Sequence, residues 1–221
     1  MNSNAGILLA MRIEEEIDVC GPGLDGKKQR SKGQMSAEER TKELEKGEWL
    51  YHPYHGVGQI VDIESKELAG EETKYYRVET NDSTFWIPVG EEDDSKVRPV
   101  VSQSRFRKAL KILRNPPDEM ASNYRKRKSR IENVKSEGTL NGIVRMVRDL
   151  VGKRRESSLN TTEQQALRHF RQSLIDEWSV VEGVTPAEAR SELRKMLRES
   201  GKRAKEEAAA MGPLGEVHEE G

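Results

Sequence analysis

The chain is poor in the residues that catalysis, secretion and membrane insertion require. Cys20 is the single cysteine in 221 residues, so no intrachain disulfide can form and nothing marks a secreted scaffold. No Gly-rich phosphate loop, nucleophile elbow or HExxH helix occurs, and an enzyme is not expected. His52 and His55 have a two-ligand HxxH spacing, but with four histidines in all a closed zinc site lacks further donors. We therefore read both as shaping the turn around Pro53 and Gly56, and expect neither metal nor other cofactor. The acidic run Glu91 to Asp94 reads as a solvated loop. The apolar stretch near Met1 is too short for a signal peptide and lacks basic residues before it, and no stretch reaches the length of a membrane span. A cytoplasmic location, with no membrane partner, is the simplest expectation. Hydrophobic residues make up only 33% of the chain and charged residues 35%. That is too little apolar material for one large core, and it fits two small domains with polar tails.

The net charge of −1 hides a separation. From Gly47 to Pro99 there are 5 Lys and Arg against 12 Asp and Glu, a balance of −7. From Val100 to Arg155 there are 16 against 5, a balance of +11. An acidic unit beside a basic one points to nucleic acid near the basic half.

Residues 1–46 contain a Gly-rich basic tract, GPGLDGKKQRSKGQ, with almost nothing to bury, followed by a frayed helix or linker from Ser36 to Lys46. They read as a disordered or partly helical extension, with Met35 a candidate alternative start. Trp49 to Tyr54, Gly56 to Ile63, Lys74 to Thr80 and Ser83 to Val89 are short runs of β-branched and aromatic residues, with Asn81-Asp82 as a hairpin signal. Five or so strands within 47–101 predict a small barrel, with Gly56 and Gly58 letting the second strand bend.

From 102 to 200 the period changes to that of helices. Phe106, Ala109, Leu110 and Leu113 form one apolar stripe, and Asn115-Pro116-Pro117 stops that helix. A second helix is expected from about Asp118 to Ser136, ended by Gly138. A third carries Leu140, Ile143, Val144, Val147, Leu150 and Val151. A fourth opens at Asn160 with Glu163 three positions on, and buries Leu167, Phe170, Leu174, Trp178 and Val181. The last opens at Thr185-Pro186 and turns Ala189, Leu193, Met196 and Leu197 inward. Residues 201–221 read as a mobile tail. The fold class is α+β: a small N-terminal barrel followed by an all-helical bundle.

The string GEWLYHPYHGVGQIVDIE, the Gly70 turn, the strand KYYRVE and the segment FWIPVGEEDDSKVRPV resemble the N-terminal module of the CarD family of bacterial transcription regulators. A similar module occurs in the transcription-repair coupling factor. The likeness extends to about Leu197 and covers roughly two thirds of the chain. It implies a Tudor/SH3-like barrel that docks on the β subunit of RNA polymerase, and a helical domain that contacts promoter DNA at the upstream edge of the transcription bubble. The protein would modulate open-complex stability as a monomer associated with the nucleoid.

Onto this chain the resemblance carries a polymerase-binding set of Lys66, Glu67, Thr84, Trp86 and Pro88. Alternation places Phe85 and Ile87 on one face and Trp86 on the other, so Trp86 either anchors a partner or covers the barrel against the helices. Edge-strand pairing would add main-chain bonds to the partner. The DNA-contacting set is Tyr124, Arg125, Lys126, Arg127, Lys128, Arg130, Arg145 and Arg148. Its centre is NYRKRKSR, five cations in six positions after an aromatic, which would neutralise phosphates without reading base sequence. Where the family typically carries Trp-Ser-Arg-Arg as a minor-groove wedge, this chain has Tyr124-Arg125-Lys126-Arg127, a smaller ring with a hydroxyl to satisfy. The residues alone leave open a solvated helix face, a Tyr124 packed in the bundle, an adaptor that binds polymerase without DNA, and a free-standing nucleic-acid-binding protein.

Overall fold

Alternation along β1 (Trp49–His52) decides how the two halves are joined. Successive side chains of a strand point to opposite faces, so Leu50 and Tyr51 enter different cores. Leu50 packs with Ile60, Tyr76, Val78, Phe85 and Ile87 inside the sheet, whereas Tyr51 and Val57 join the apolar core of the helices. The computed structural model describes residues 44–68, 71–90 and 96–211. The expectations for the N-terminal extension up to residue 43, the Gly70 turn, the acidic run Glu91 to Asp94 and residues 212–221 lie outside the described residues.

β2 (Gly56–Leu68), β3 (Glu71–Glu79), β4 (Thr84–Pro88) and β5 (Arg98–Pro99) complete an antiparallel sheet in the order β4-β3-β2-β1-β5. The sheet is SH3/Tudor-like, but β4 and β5 do not pair among the described residues, so a closed barrel is not formed there. β2 is bent by a register shift between Ile60 and Asp62. Gly58 supplies close approach at this bend: a Cβ there would lie 2.6 Å from Val78 Cγ1 and 3.0 Å from the Glu79 carbonyl oxygen. The β3-β4 hairpin closes as the Asn81-Asp82 signal predicts, with the Thr80 amide donating to the Ser83 carbonyl at 2.8 Å.

Five α-helices follow. α1 (Gln103–Leu110) tightens into a 3₁₀ turn over Lys111–Arg114 and buries Phe106, Ala109, Leu110 and Leu113. α2 spans Tyr124–Glu137 and starts six residues later than the expected Asp118. Two contacts account for this: the Asp118 amide donates to the distant Asp149 at 3.0 Å, and the Asn123 side chain caps the amides of Arg125 and Lys126 instead. α3 (Leu140–Glu156) is the central helix, and α4 (Thr161–Glu182) opens with the Asn160–Glu163 capping box read from the sequence. α5 (Pro186–Met211) runs on through Gly201, into the segment that the sequence reads as a mobile tail. Strong helix formers from Lys202 to Ala210 favour this continuation, and Ser200, donating to the Asn115 carbonyl at 2.7 Å, docks it on the rest of the bundle. No helix among the described residues is long and apolar enough to cross a membrane.

Arg98 joins the two halves. Its Nε donates to the Gly138 carbonyl at 2.8 Å, and its two Nη atoms form a bidentate pair with Glu177 at 2.7 and 2.8 Å. The guanidinium also lies 4.5 Å from the Tyr51 ring centroid. Burial pushes the Tyr51 hydroxyl up to about 12, against the opposing charge of Arg98. Gly138, the left-handed residue ending α2 at φ 59°, leaves room for this junction. A Cβ there would lie 3.0 Å from Tyr51 Cε1. A second contact between the halves has a ring nitrogen of His169 on α4 at 2.9 Å from the Pro53 carbonyl oxygen, in the turn after β1.

Candidate functional site

The outer face of the sheet gathers charged residues around one aromatic. In the β2-β3-β4 register Asp62 opposes Arg77 and Arg77 opposes Trp86. Phe85 and Ile87 are fully buried while Trp86 stays half-exposed, as alternation requires. The indole Nε1 donates to Glu64 at 3.2 Å. The Lys66 ammonium sits 3.5 Å over the ring, a cation–π contact of about 0.5–1 kcal/mol at an exposed site. Arg77 braces the group through Glu64 at 2.6 Å and Glu79 at 2.8 Å. Trp86 therefore presents a ring whose orientation is fixed at one edge by Glu64 and over one face by Lys66.

Of the five residues carried over to this face, the structure brings Lys66, Trp86 and exposed Thr84 together. Alternation turns Glu67 to the opposite side from Lys66, and Pro88 is buried; neither belongs to the exposed patch. Glu64 and Arg77 were missed. Period-two counting from Lys66 and Trp86 would have found them, because polar residues at i−2 on β2 and directly opposite on β3 share the face. β4 is an edge strand that pairs only with β3 among the described residues, which leaves its other side open to an added strand.

Behind this patch His52 of β1 and His55 of the turn that follows it have structural work. His52 is 1% exposed, and its Nδ1 accepts the amides of Tyr54 and His55, each at 3.1 Å. An Nδ1 that accepts two amides is unprotonated. Burial, and then the neighbouring His55, lower its pKa to about 3. His55 stacks on Phe85 with ring centroids 4.4 Å apart.

The second candidate surface lies on α2, where the eight proposed DNA contacts divide. Tyr124 is 45% exposed at the first turn, with its hydroxyl 3.4 Å from Thr162; it does not pack into the bundle. Arg125, Lys126 and Arg145 are exposed, and Lys128 is exposed with a weak 3.6 Å pair to Glu132. Arg125 and Lys126 line a shallow groove along the helix with Ser129 and Asn133.

The remaining three cations each pair with a carboxylate of the bundle, although Arg130 also lines the groove with Arg125 and Lys126. Arg127 pairs with Glu163 at 2.5 Å and donates to the carbonyls of Ala121 and Ser122. Arg130 pairs with the fully buried Asp149. Arg148 is 5% exposed and bridges Asp149 at 2.8 Å and Asp118 at 2.6 Å. A buried carboxylate without a counter-charge is costly, so Glu163 and Asp149 recruit the cations nearest them. Burial pushes the Glu163 carboxyl up, but the Arg127 and Asn160 hydrogen bonds and Lys153 outweigh it and hold it below its ordinary value. Arg127, Arg130 and Arg148 thus tie α2 to α3 and α4, which engages their charges within the protein.

Comparison with known proteins matches both halves. Residues 44–101 match the CarD-like/TRCF RID domain, and residues 108–194 match the CarD C-terminal domain. A Bacillus subtilis (strain 168) protein named "Putative transcription factor YdeB" is 28% identical over 148 residues, which cover 66% of this chain and 96% of the relative. The two matched domains meet at the Arg98 junction and follow one another in the order of the observed sheet and bundle. With both present in sequence and in fold, the chain belongs to the CarD family.

Proposed function

We propose that the protein is a transcription regulator that binds the RNA polymerase β subunit through the outer sheet face and edge strand β4, and contacts promoter DNA upstream of the bubble through α2. The observation that carries this reading is Trp86. It is a half-exposed aromatic on an edge strand, held by Lys66 and Glu64, and an anchor already ordered loses little rotamer freedom on binding. Main-chain pairing along β4 supplies the rest of the contact. On α2 the working set is Tyr124, Arg125, Lys126, Lys128 and Arg145. Four cations reaching phosphates correspond to a salt slope of about −3.6 in log affinity against log salt, a weak tether that functions once polymerase has delivered it to the promoter. Contacts to phosphates and groove shape would modulate open-complex lifetime without sequence specificity, and one copy of the chain suffices for both contacts.

Calorimetric titration of the full chain into a β-subunit fragment tests the first half. Trp86→Ala is expected to abolish binding and Tyr124→Ala to leave it intact, while Tyr124→Ala shortens open-complex lifetime. If the two variants behave alike in both assays, the division of labour is wrong. The internal pairing of Arg127, Arg130 and Arg148 favours a second reading, a polymerase-bound adaptor without DNA contact. An open-complex lifetime indifferent to Arg125→Gln/Lys126→Gln would select it.

A further inference from the structure

Nine residues, about two and a half turns, separate Thr162 from Arg171, so Arg171 lies on the side of α4 away from Tyr124. There α3, α4 and α5 enclose a depression of about 310 Å³. Arg154 and Arg155 of α3, Arg171 of α4, and Arg194 and Arg198 of α5 line it, over Val151 and Leu197, and no carboxylate does. Arg155 donates to the Leu197 carbonyl and lies across Gly201. Arg154, Arg171, Arg194 and Arg198 have no carboxylate partner among the described residues, and the buried Nε of Arg171 has no hydrogen-bond partner there. Burial, with the charges of Arg154, Arg190 and Arg194, pulls the Arg171 guanidinium below its ordinary value. Arg190, whose charge reaches Arg171, also acts on the Asp176 carboxyl.

This differs from the rest of the bundle, where Arg98, Arg127, Arg130 and Arg148 each meet a carboxylate. We propose that the arginine depression between α3, α4 and α5 is a second nucleic-acid site, which takes the phosphate backbone of duplex DNA. Guanidinium forks match phosphate oxygens in pairs. The floor residues Val151 and Leu197 are buried and no aromatic lines the depression, so it offers neither an anchor for a peptide side chain nor a platform for an unpaired base. Duplex backbone is the polyanion that needs neither. The site shares no residue with the α2 surface and extends the reading of the helical half to a second face.

The test measures anisotropy of a labelled duplex against the full chain over a range of salt concentrations. Three paired variants are compared: Arg194→Gln/Arg198→Gln, Arg125→Gln/Lys126→Gln on α2, and Lys74→Gln/Lys111→Gln as a control of equal charge change. All changed residues are exposed, and melting curves verify folding. The proposal expects the Arg194/Arg198 pair to lower the salt slope by about 2 and affinity at least tenfold at low salt, beyond the control. A slope equal to the control overturns it, as does absence of salt-sensitive duplex binding in the wild type. A loss restricted to an acidic peptide probe, with duplex binding intact, overturns it in favour of a protein partner. If only the α2 pair matters, this site is wrong and the earlier reading stands; if only the cluster pair matters, the reverse holds.

Discussion

Replacing Arg98 by methionine keeps most of the stem and removes the charge at the junction of the two domains. Glu177 is 1% exposed and would be left buried without its bidentate partner. Breaking a buried ion pair from one side costs about 3–5 kcal/mol, and the Gly138 carbonyl and the Tyr51 ring lose their contacts as well. A total of about 4 kcal/mol corresponds to a fall in Tm of roughly 8–16 °C for a chain of this size. The matched comparison is Arg107→Met. Arg107 makes an equally short bidentate pair with Glu182, but its side chain is 61% exposed, and exposed pairs contribute about 0–1 kcal/mol. Thermal and urea unfolding followed by circular dichroism would read both. In the cycle, Arg98→Met/Glu177→Leu should recover part of the loss, since two apolar residues leave no stranded charge. The reasoning is refuted if Arg98→Met costs no more than Arg107→Met.

Glu163→Gln should destabilise by about 3 kcal/mol, because it strands Arg127 and Lys153 and loosens the cap of α4, whereas Arg125→Gln should stay within about 0.5 kcal/mol in the same urea titration. Gly138→Ala should cost about 1–3 kcal/mol, from the left-handed backbone and the contact with Tyr51; a neutral result would mean that the junction yields easily. His52 predicts acid sensitivity. Its folded pKa is depressed to about 3, so below the ordinary histidine range the unfolded chain binds a proton that the folded chain refuses. Stability is then complete near neutrality and falls as pH drops from about 6.5 toward 3, by about 2 kcal/mol at pH 5. Urea midpoints for wild type and His52→Gln should converge across that interval, and parallel curves would contradict the assignment.

The features legible in the sequence were those governed by neighbours along the chain. Period two placed Phe85 and Ile87 inward and Trp86 outward. The stripe from Leu140 to Val151 is the buried face of α3, and Gly138 and the Asn160–Glu163 box mark helix ends in the structure. What was illegible depends on partners far apart in sequence. The run from Arg125 to Arg130 looks uniform, yet Arg127 and Arg130 face Glu163 and Asp149, 36 and 19 residues away, and only the helix packing says which cations are consumed. Capture of the Asp118 amide by Asp149 delayed α2 for the same reason. The arginines around Arg171 come from three helices and form no motif in the linear string.

The sharing of β1 between two cores has a mechanical consequence. With Tyr51 seated among the helices and Arg98 bound to Glu177 and Gly138, sheet and bundle are braced against each other through one tyrosine and one arginine. The distance from the Trp86 ring to Tyr124 is then a ruler set by these two residues. A partner gripping β4 fixes where α2 points, so softening the brace at Arg98 would disturb the geometry of a two-point attachment while leaving both contact surfaces chemically intact.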